Sequence, residues 1–155
     1  LLNNEMDDFV IKAGEANGYD LVGTHANGIA PNKRPLSSMS PVFVETDRGV
    51  LMVGTPGGSR IISMNMLAIM AYLDGASAQD IVAAPRFHHQ FMPDELLYEA
   101  GALTEEEITG LKAKGHILRQ SSRQYGNMQV IEWDYKTNKV ITASDPRGAG
   151  AGRVY

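Results

Sequence analysis

From position 42 onward, apolar runs and helical periodicity divide the chain into recognisable elements. Val42-Phe-Val-Glu-Thr46 and Gly49-Val-Leu-Met-Val-Gly54 flank Asp47-Arg48-Gly49, the pattern of a β-hairpin. The second run is apolar throughout, which predicts a buried central strand. After Gly57-Gly58-Ser59, long apolar residues and good helix formers predict a helix from Ser59 to Leu73. It is apolar on most faces, so it is expected to be largely buried. Ser77 reads as the N-cap of a short helix through Ala83, stopped by Pro85. A single strand is expected before the next helix. There, Thr104-Glu-Glu-Glu107 forms a capping box, with the helix running to Lys114 and ending at Gly115, which can take φ > 0. The stretches 127–135 and 139–145 predict a second hairpin around Lys136-Thr-Asn138.

The first forty-one positions differ. Asn-Gly pairs stand at 17–18 and 27–28, and Ala30-Pro31-Asn32-Lys33 adds a further turn signal. A long irregular segment in a compact domain is usually functional or disordered, and the Leu, Val, Ile and Phe content here argues against disorder. Strands paired by hairpins and helices in their own runs give an α+β class, an antiparallel sheet in a layered sandwich.

The 155 residues fit one domain, 1–155, large enough for a real core. A net charge of −4 and one adjacent basic pair, Lys33-Arg34, give no footprint for nucleic acid. The absence of cysteine removes disulfides, thiolate catalysis and Cys-based metal sites. No apolar run reaches the roughly 18 residues of a membrane span, and no signal segment is visible. The opening "LLNNEMDDF" lacks Met and turns from apolar to polar as if a strand were ending, which predicts a piece of a longer protein.

Four stretches carry candidate chemistry. "GTPGGSR" (54–60) lacks the Lys-Ser/Thr of a phosphate loop and the spacing of a dinucleotide fingerprint. It remains either a tight strand-to-helix turn or an oxyanion hole, since adjacent glycines at a helix start present backbone N–H groups. "NNEMDDF" (3–9) is an acidic loop or a site for a cation, an ammonium group or a metal. "HHQ" (88–90) is read as structural, because adjacent strand histidines point to opposite faces. In "RPLSSMSP" (34–41), no base, G-x-S-x-G elbow or S-x-x-K accompanies the serines, which argues against a nucleophile. Carboxylate-binding hydroxyls or turn capping remain.

Taken together, "LLNNEMDDF", "NKRPLSSMSP", "GTPGGSRI", "APRFHHQFMPDEL" and "ASDPRGAG" resemble, in order and character, the small subunit of γ-glutamyltranspeptidases over nearly the whole chain. The resemblance implies an N-terminal-nucleophile hydrolase with an αββα sandwich, self-cleaved from a precursor into large and small subunits. It implies γ-glutamyl transfer from glutathione and related compounds to water, an amino acid or a dipeptide, through a threonyl ester. It also implies a periplasmic or secreted location, and it calls for no cofactor. By position, Asp8 matches the carboxylate that pairs with the substrate α-ammonium, and Glu5 its neighbour, where members carry Glu or Gln. Ser37 and Ser38 match the pair that binds the substrate α-carboxylate, and Gly57 and Gly58 the oxyanion hole. The family's N-terminal Thr-Thr-His and the stretch after it find no counterpart here, nor does the large subunit with its carboxylate-gripping Arg. The chain alone is therefore expected to be inactive, with open sheet edges and apolar patches. Two alternatives are a cephalosporin-type glutaryl acylase of the same superfamily and a non-catalytic γ-glutamyl-binding paralogue. A glutaryl group lacks the α-ammonium that Asp8 would serve.

Overall fold

The computed structural model describes residues 4–155. Leu1, Leu2 and Asn3, with the strand end read there, lie outside the described residues. Seven strands and three α-helices follow one another: β1 (Val42–Thr46), β2 (Gly49–Gly54), α1 (Arg60–Leu73), α2 (Ala78–Ala83), β3 (Phe87–Phe91), β4 (Asp94–Tyr98), α3 (Glu105–Ala113), β5 (Leu118–Gln120), β6 (Gln129–Asp134) and β7 (Lys139–Ser144). The class is α+β.

The two expected hairpins form one antiparallel sheet in the order β1-β2-β6-β7. Val53 pairs with Val130 and Leu51 with Glu132. Their side chains therefore share a face, and α1 and α2 pack on it. Leu51, Val53, Met64, Tyr72, Val82 and Val130 are at the centre of the resulting core. Completely burying an aliphatic side chain of this size contributes about 1.5–3 kcal/mol. The opposite face stays open among the described residues, with Phe43, Ile131, Trp133 and Val140 exposed. Those are the expected apolar patches.

Two expectations are corrected. The single strand before the third helix is a hairpin, β3–β4, turned at the cis Met92-Pro93 bond. Its alternation is masked because Leu96 and Leu97 are both buried. β4 also pairs in parallel with β5, a three-residue strand too short to carry a pattern, so the second sheet is mixed. Helix α1 is not largely buried: Ile61, Met64, Asn65, Ala68 and Tyr72 face inward, whereas Ile62, Met66, Met70 and Leu73 are exposed. The capping box at Thr104 and Glu107 forms as expected, and Gly115 ends that helix at φ +92°.

Two charge clusters tie the layers together. Arg48, on the β1–β2 turn, donates to the Glu132 carboxylate at 2.8 Å and to the carbonyls of Tyr72 and Ala76 at the end of α1. A cation there also meets the negative end of the helix dipole. Deeper, Arg86 pairs with Asp145 at 2.5 Å, while Arg147 bridges Glu99 at 2.6 Å and Asp145 at 3.1 Å. All four side chains are nearly inaccessible to solvent, and the backbone N–H groups of Arg86 and Tyr125 complete the shell of Glu99. Burial pushes the Asp145 carboxyl up, but the N–H groups of Met128 and Arg147 and the Arg86 guanidinium outweigh it and hold it below the usual carboxylate range.

Candidate active site

Glu5 and Asp8 lie on a 3₁₀ turn, Glu5–Asp8, anchored by the buried Phe9 that follows it. Its position is set by Asn27. The Asn27 side-chain amide donates to the Asp8 carbonyl at 2.7 Å and accepts from the Leu36 N–H at 2.9 Å. The Asn27 carbonyl also accepts from the Val10 N–H at 2.9 Å. One side chain thus joins the acidic turn to the start of the serine loop. At the far end of that loop, Asn65 of α1 donates to the Ser40 carbonyl at 2.5 Å. Within it, the Ser37 hydroxyl accepts from the Met39 N–H at 3.2 Å.

Gly57 and Gly58 connect β2 to α1. Their φ values, +147° and +57°, belong to the region that favours glycine. A Cβ at position 57 would lie 2.7 Å from the Met64 side chain, and one at 58 would lie 2.5 Å from the Tyr19 ring. Their carbonyls accept the first N–H groups of α1, from Arg60 at 3.2 Å and Ile61 at 3.1 Å. Neither glycine N–H is engaged by another described residue.

These segments enclose a cleft of about 310 Å³ whose walls include Glu5, Asp8, Ser38, Gly57 and Gly58. Ser37 is next in chain to that wall but is exposed, its hydroxyl oxygen accepting within the loop. The cleft therefore joins carboxylates, a hydroxyl and two adjacent backbone N–H groups at a helix start. Carboxylates suit a cationic group, and N–H donors at a helix N-terminus suit a developing oxyanion.

The histidine pair has a structural part next to this cleft. His88 is buried and His89 exposed, on opposite faces of β3. The His88 ring meets the Ser63 hydroxyl at 2.8 Å and the Gln90 side-chain oxygen at 2.9 Å. Gln90 in turn donates to the carbonyls of Tyr19 and Asp20, each at 3.2 Å. Burial lowers the His88 pKa, with the Gln90 hydrogen bond opposing and Arg60 and His89 adding to the fall. The Gln90 oxygen can only accept, so Nε2 carries a hydrogen, and the Ser63 hydroxyl can pair with Nδ1 as donor or acceptor.

The family signature described as Gamma-glutamyltranspeptidase matches residues 1–155. The chain belongs to the γ-glutamyltranspeptidase family. It is 45% identical to a glutathione hydrolase proenzyme of Pseudomonas aeruginosa over 99% of its length, and 42% identical to that of Escherichia coli (strain K12) over 95%. It spans 28% and 25% of those two proteins. Among solved structures, an acivicin-inhibited γ-glutamyltranspeptidase aligns over 97% of this chain and 81% of its own, with 42% identity and a TM-score of 0.86. No described helix is long and apolar enough to cross a membrane.

In this chain Asn4 and Thr55, which lie within the singled-out stretches 3–9 and 54–60 but were given no role of their own, also line the cleft, as does Tyr19, which sequence reasoning missed. Asn17-Gly18 was legible as a turn; the Asn17 side chain accepts from the N–H of Tyr19 at 2.9 Å and so aims the aromatic residue. Nothing local marked Asn27 as more than half of an Asn-Gly turn, because its partners lie at Asp8 and Leu36. The family-like "APRF" and "ASDPRG" stretches supply Arg86, Asp145 and Arg147 of the buried charge cluster rather than cleft walls.

Proposed function

We propose that this chain forms the γ-glutamyl-binding half of an enzyme that transfers or hydrolyses the γ-glutamyl group of glutathione and related compounds. In this reading Asp8 and Glu5 receive the substrate α-ammonium. Ser38 and Ser37 donate to its α-carboxylate, the Ser37 O–H being free to do so while its oxygen accepts from the Met39 N–H. The Gly57 and Gly58 N–H groups stabilise the oxyanion that forms when the γ-carbonyl is attacked, where losing one donor typically lowers the rate about 10²–10³-fold. The attacking threonine, its amine base and the Arg that grips the α-carboxylate come from outside these 155 residues, in the remainder of a self-cleaved precursor. The chain by itself is then inactive, and its natural partner is the large subunit of the same precursor. Water, amino acids or dipeptides accept the acyl group, no cofactor is needed, and the compartment is the periplasm or the exterior.

The observation that carries this reading is the convergence of Glu5, Asp8, Ser38, Gly57 and Gly58 on one cleft from three separate segments. A glutaryl substrate has no α-ammonium for Asp8 to pair with, so a carboxylate at position 8 favours the γ-glutamyl group. The test is release of p-nitroaniline from γ-glutamyl-p-nitroanilide by the processed full-length protein, compared with the glutaryl analogue. The Asp8→Ala variant should raise KM for the γ-glutamyl compound and leave the glutaryl one unchanged. Equal effects on both, or no turnover of the γ-glutamyl compound by the wild type, would refute it.

A further inference from the structure

The end of β3 lies outside the cleft wall, yet it is tied to one of the cleft's residues. Tyr19 lines both the cleft and a smaller adjoining pocket, whose other walls include His88 and Gln90. In the cleft its ring lies against the glycine turn: three ring carbons would stand 2.5–2.6 Å from a Cβ at position 58. The turn that carries Tyr19 is closed by Asn17, whose side chain accepts from the N–H groups of Tyr19 and Leu21 and whose carbonyl accepts from that of Asp20. Among the described residues, polar contacts from beyond this turn come from two side chains. The Ser59 hydroxyl reaches the Tyr19 carbonyl at 3.4 Å. The Gln90 amide nitrogen donates to the carbonyls of Tyr19 and Asp20, each at 3.2 Å, and to that of Met92 at 2.6 Å, so its two hydrogens are shared among three acceptors. Asp20 takes φ +58°, a conformation that a non-glycine residue keeps only where its surroundings hold it. Two local features aim the amide. Gln90 sits at a β-bulge, where it faces both Asp94 and Glu95 of β4, and bulges redirect side chains. Its oxygen is committed to His88, which is itself fixed by Ser63 of α1, so the NH₂ group is left to face the Tyr19 turn.

We propose that Gln90 is a positioning residue for the cleft: it does not line the cleft itself, but fastens the Tyr19 turn to β3 so that the ring stays on Gly58. The hydrogen bonds pass from Ser63 to His88, from His88 to Gln90 and from Gln90 to the Tyr19 carbonyl, and the ring closes the circuit at the turn that opens α1. Without the amide the Asn17 bonds remain, so the turn keeps its shape, but its attachment to β3 is lost. The ring then leaves Gly58 for part of the time, and the cleft loses a wall beside the glycine N–H groups. A competing role is support of the β3–β4 turn through Met92 alone. That role would cost stability without loosening Tyr19, which separates the two. The effect on γ-glutamyl turnover rests on the reading above; the clamp on Tyr19 does not.

The test uses the full-length, processed protein and its Gln90→Ala and Gln90→Glu variants. Glutamate keeps the length and the oxygens but has no N–H to donate. Hydrogen–deuterium exchange of the peptide spanning 14–23 is followed by mass spectrometry. In both variants the amides of Tyr19, Asp20 and Leu21 should exchange about fivefold faster or more, while peptides from β6 and β7 keep their rates. Unchanged exchange in 14–23, or an equal rise in every peptide, would overturn the proposal. The second measurement is kcat/KM for γ-glutamyl-p-nitroanilide in a double-mutant cycle with Tyr19→Ala. Gln90→Ala should lower it about tenfold, as for the loss of two or three neutral hydrogen bonds, and less than about twofold when Tyr19 is already alanine. The same loss in both backgrounds would show that Gln90 acts by a route other than the ring and would also overturn the proposal. Absence of turnover in the wild type would remove the γ-glutamyl reading, and the exchange comparison would then decide the clamp by itself.

Discussion

Asn27 offers the sharpest separation between binding and chemistry, because it touches both segments that the proposed reading assigns to substrate binding and neither glycine. Replacing it by alanine removes two hydrogen bonds, to the Asp8 carbonyl and from the Leu36 N–H. Each such bond contributes about 0.5–1.5 kcal/mol net. The Leu36 end is exposed, so water replaces part of the loss there. A combined effect of about 1–2 kcal/mol on the relative placement of Asp8 and the serine loop follows. That corresponds to a roughly 5–30-fold change in an equilibrium. If the loss falls on ground-state and transition-state binding alike, KM rises by that factor while kcat changes less than about threefold. The assay is initial rates of γ-glutamyl-p-nitroanilide hydrolysis by the processed full-length enzyme, over a range of substrate concentration, with thermal melting of the variant as a fold control. An unchanged KM would show that Asn27 does not set the spacing of the two segments. A tenfold fall in kcat at constant KM would place Asn27 in the chemical step and refute the division of labour.

Other substitutions probe the remaining parts. Ser38→Ala should raise KM more than it lowers kcat in the same assay, and the reverse split would revive a serine nucleophile. Gly58→Ala should reduce kcat at least tenfold, since its Cβ would meet the Tyr19 ring at 2.5 Å and the backbone sits at φ +57°; wild-type rates would show that the glycine N–H groups are not aimed at the reacting carbonyl. Arg147→Ala leaves Glu99 and Asp145 short of a buried partner, a loss of about 3–5 kcal/mol. At about 2–4 °C per kcal/mol for a domain of this size, melting should fall by roughly 6–20 °C. His88 has a depressed pKa in the fold, so its neutral form stabilises above the unfolded value near 6.5 and that contribution is lost as pH falls below it. The melting temperature should therefore drop more between pH 7 and pH 5 in the wild type than in His88→Gln, and parallel curves would sink this assignment.

Legibility tracked the range of the interactions involved. The β1–β2 and β6–β7 hairpins, the Ser77 and Thr104 caps and the Gly115 stop all depend on neighbours within a few positions, and each formed as expected. The β4–β5 pairing spans a whole helix and rests on three residues, so no periodicity announces it. For the site, residue types in Glu5, Asp8, Ser37, Ser38, Gly57 and Gly58 offered several chemistries each. Only family resemblance selected among them before the fold placed five of the six on one cleft. The alignment of those segments depends on Asn27 and Asn65, two amides whose partners are remote in sequence.

The error over α1 is the most informative. An apolar surround predicts burial in the chain's own core, yet the helix packs Met64, Ala68 and Tyr72 on the first sheet and meets β3 through Ser63 and His88, and its remaining side meets no described element. The remaining apolar stripe, the unpaired Asn65 oxygen and the open face carrying Phe43, Ile131 and Trp133 are then consequences of one fact. On the proposed reading the hydrophobic pattern suits a larger structure than these residues build, since burial signals report the final assembly and not the segment that carries them. The same holds for the cleft. The groups that the γ-glutamyl reading assigns to binding line one cleft within this chain, whereas the attacking group that reading requires is not among them. Binding and attack can therefore be separated by supplying or withholding the rest of the precursor.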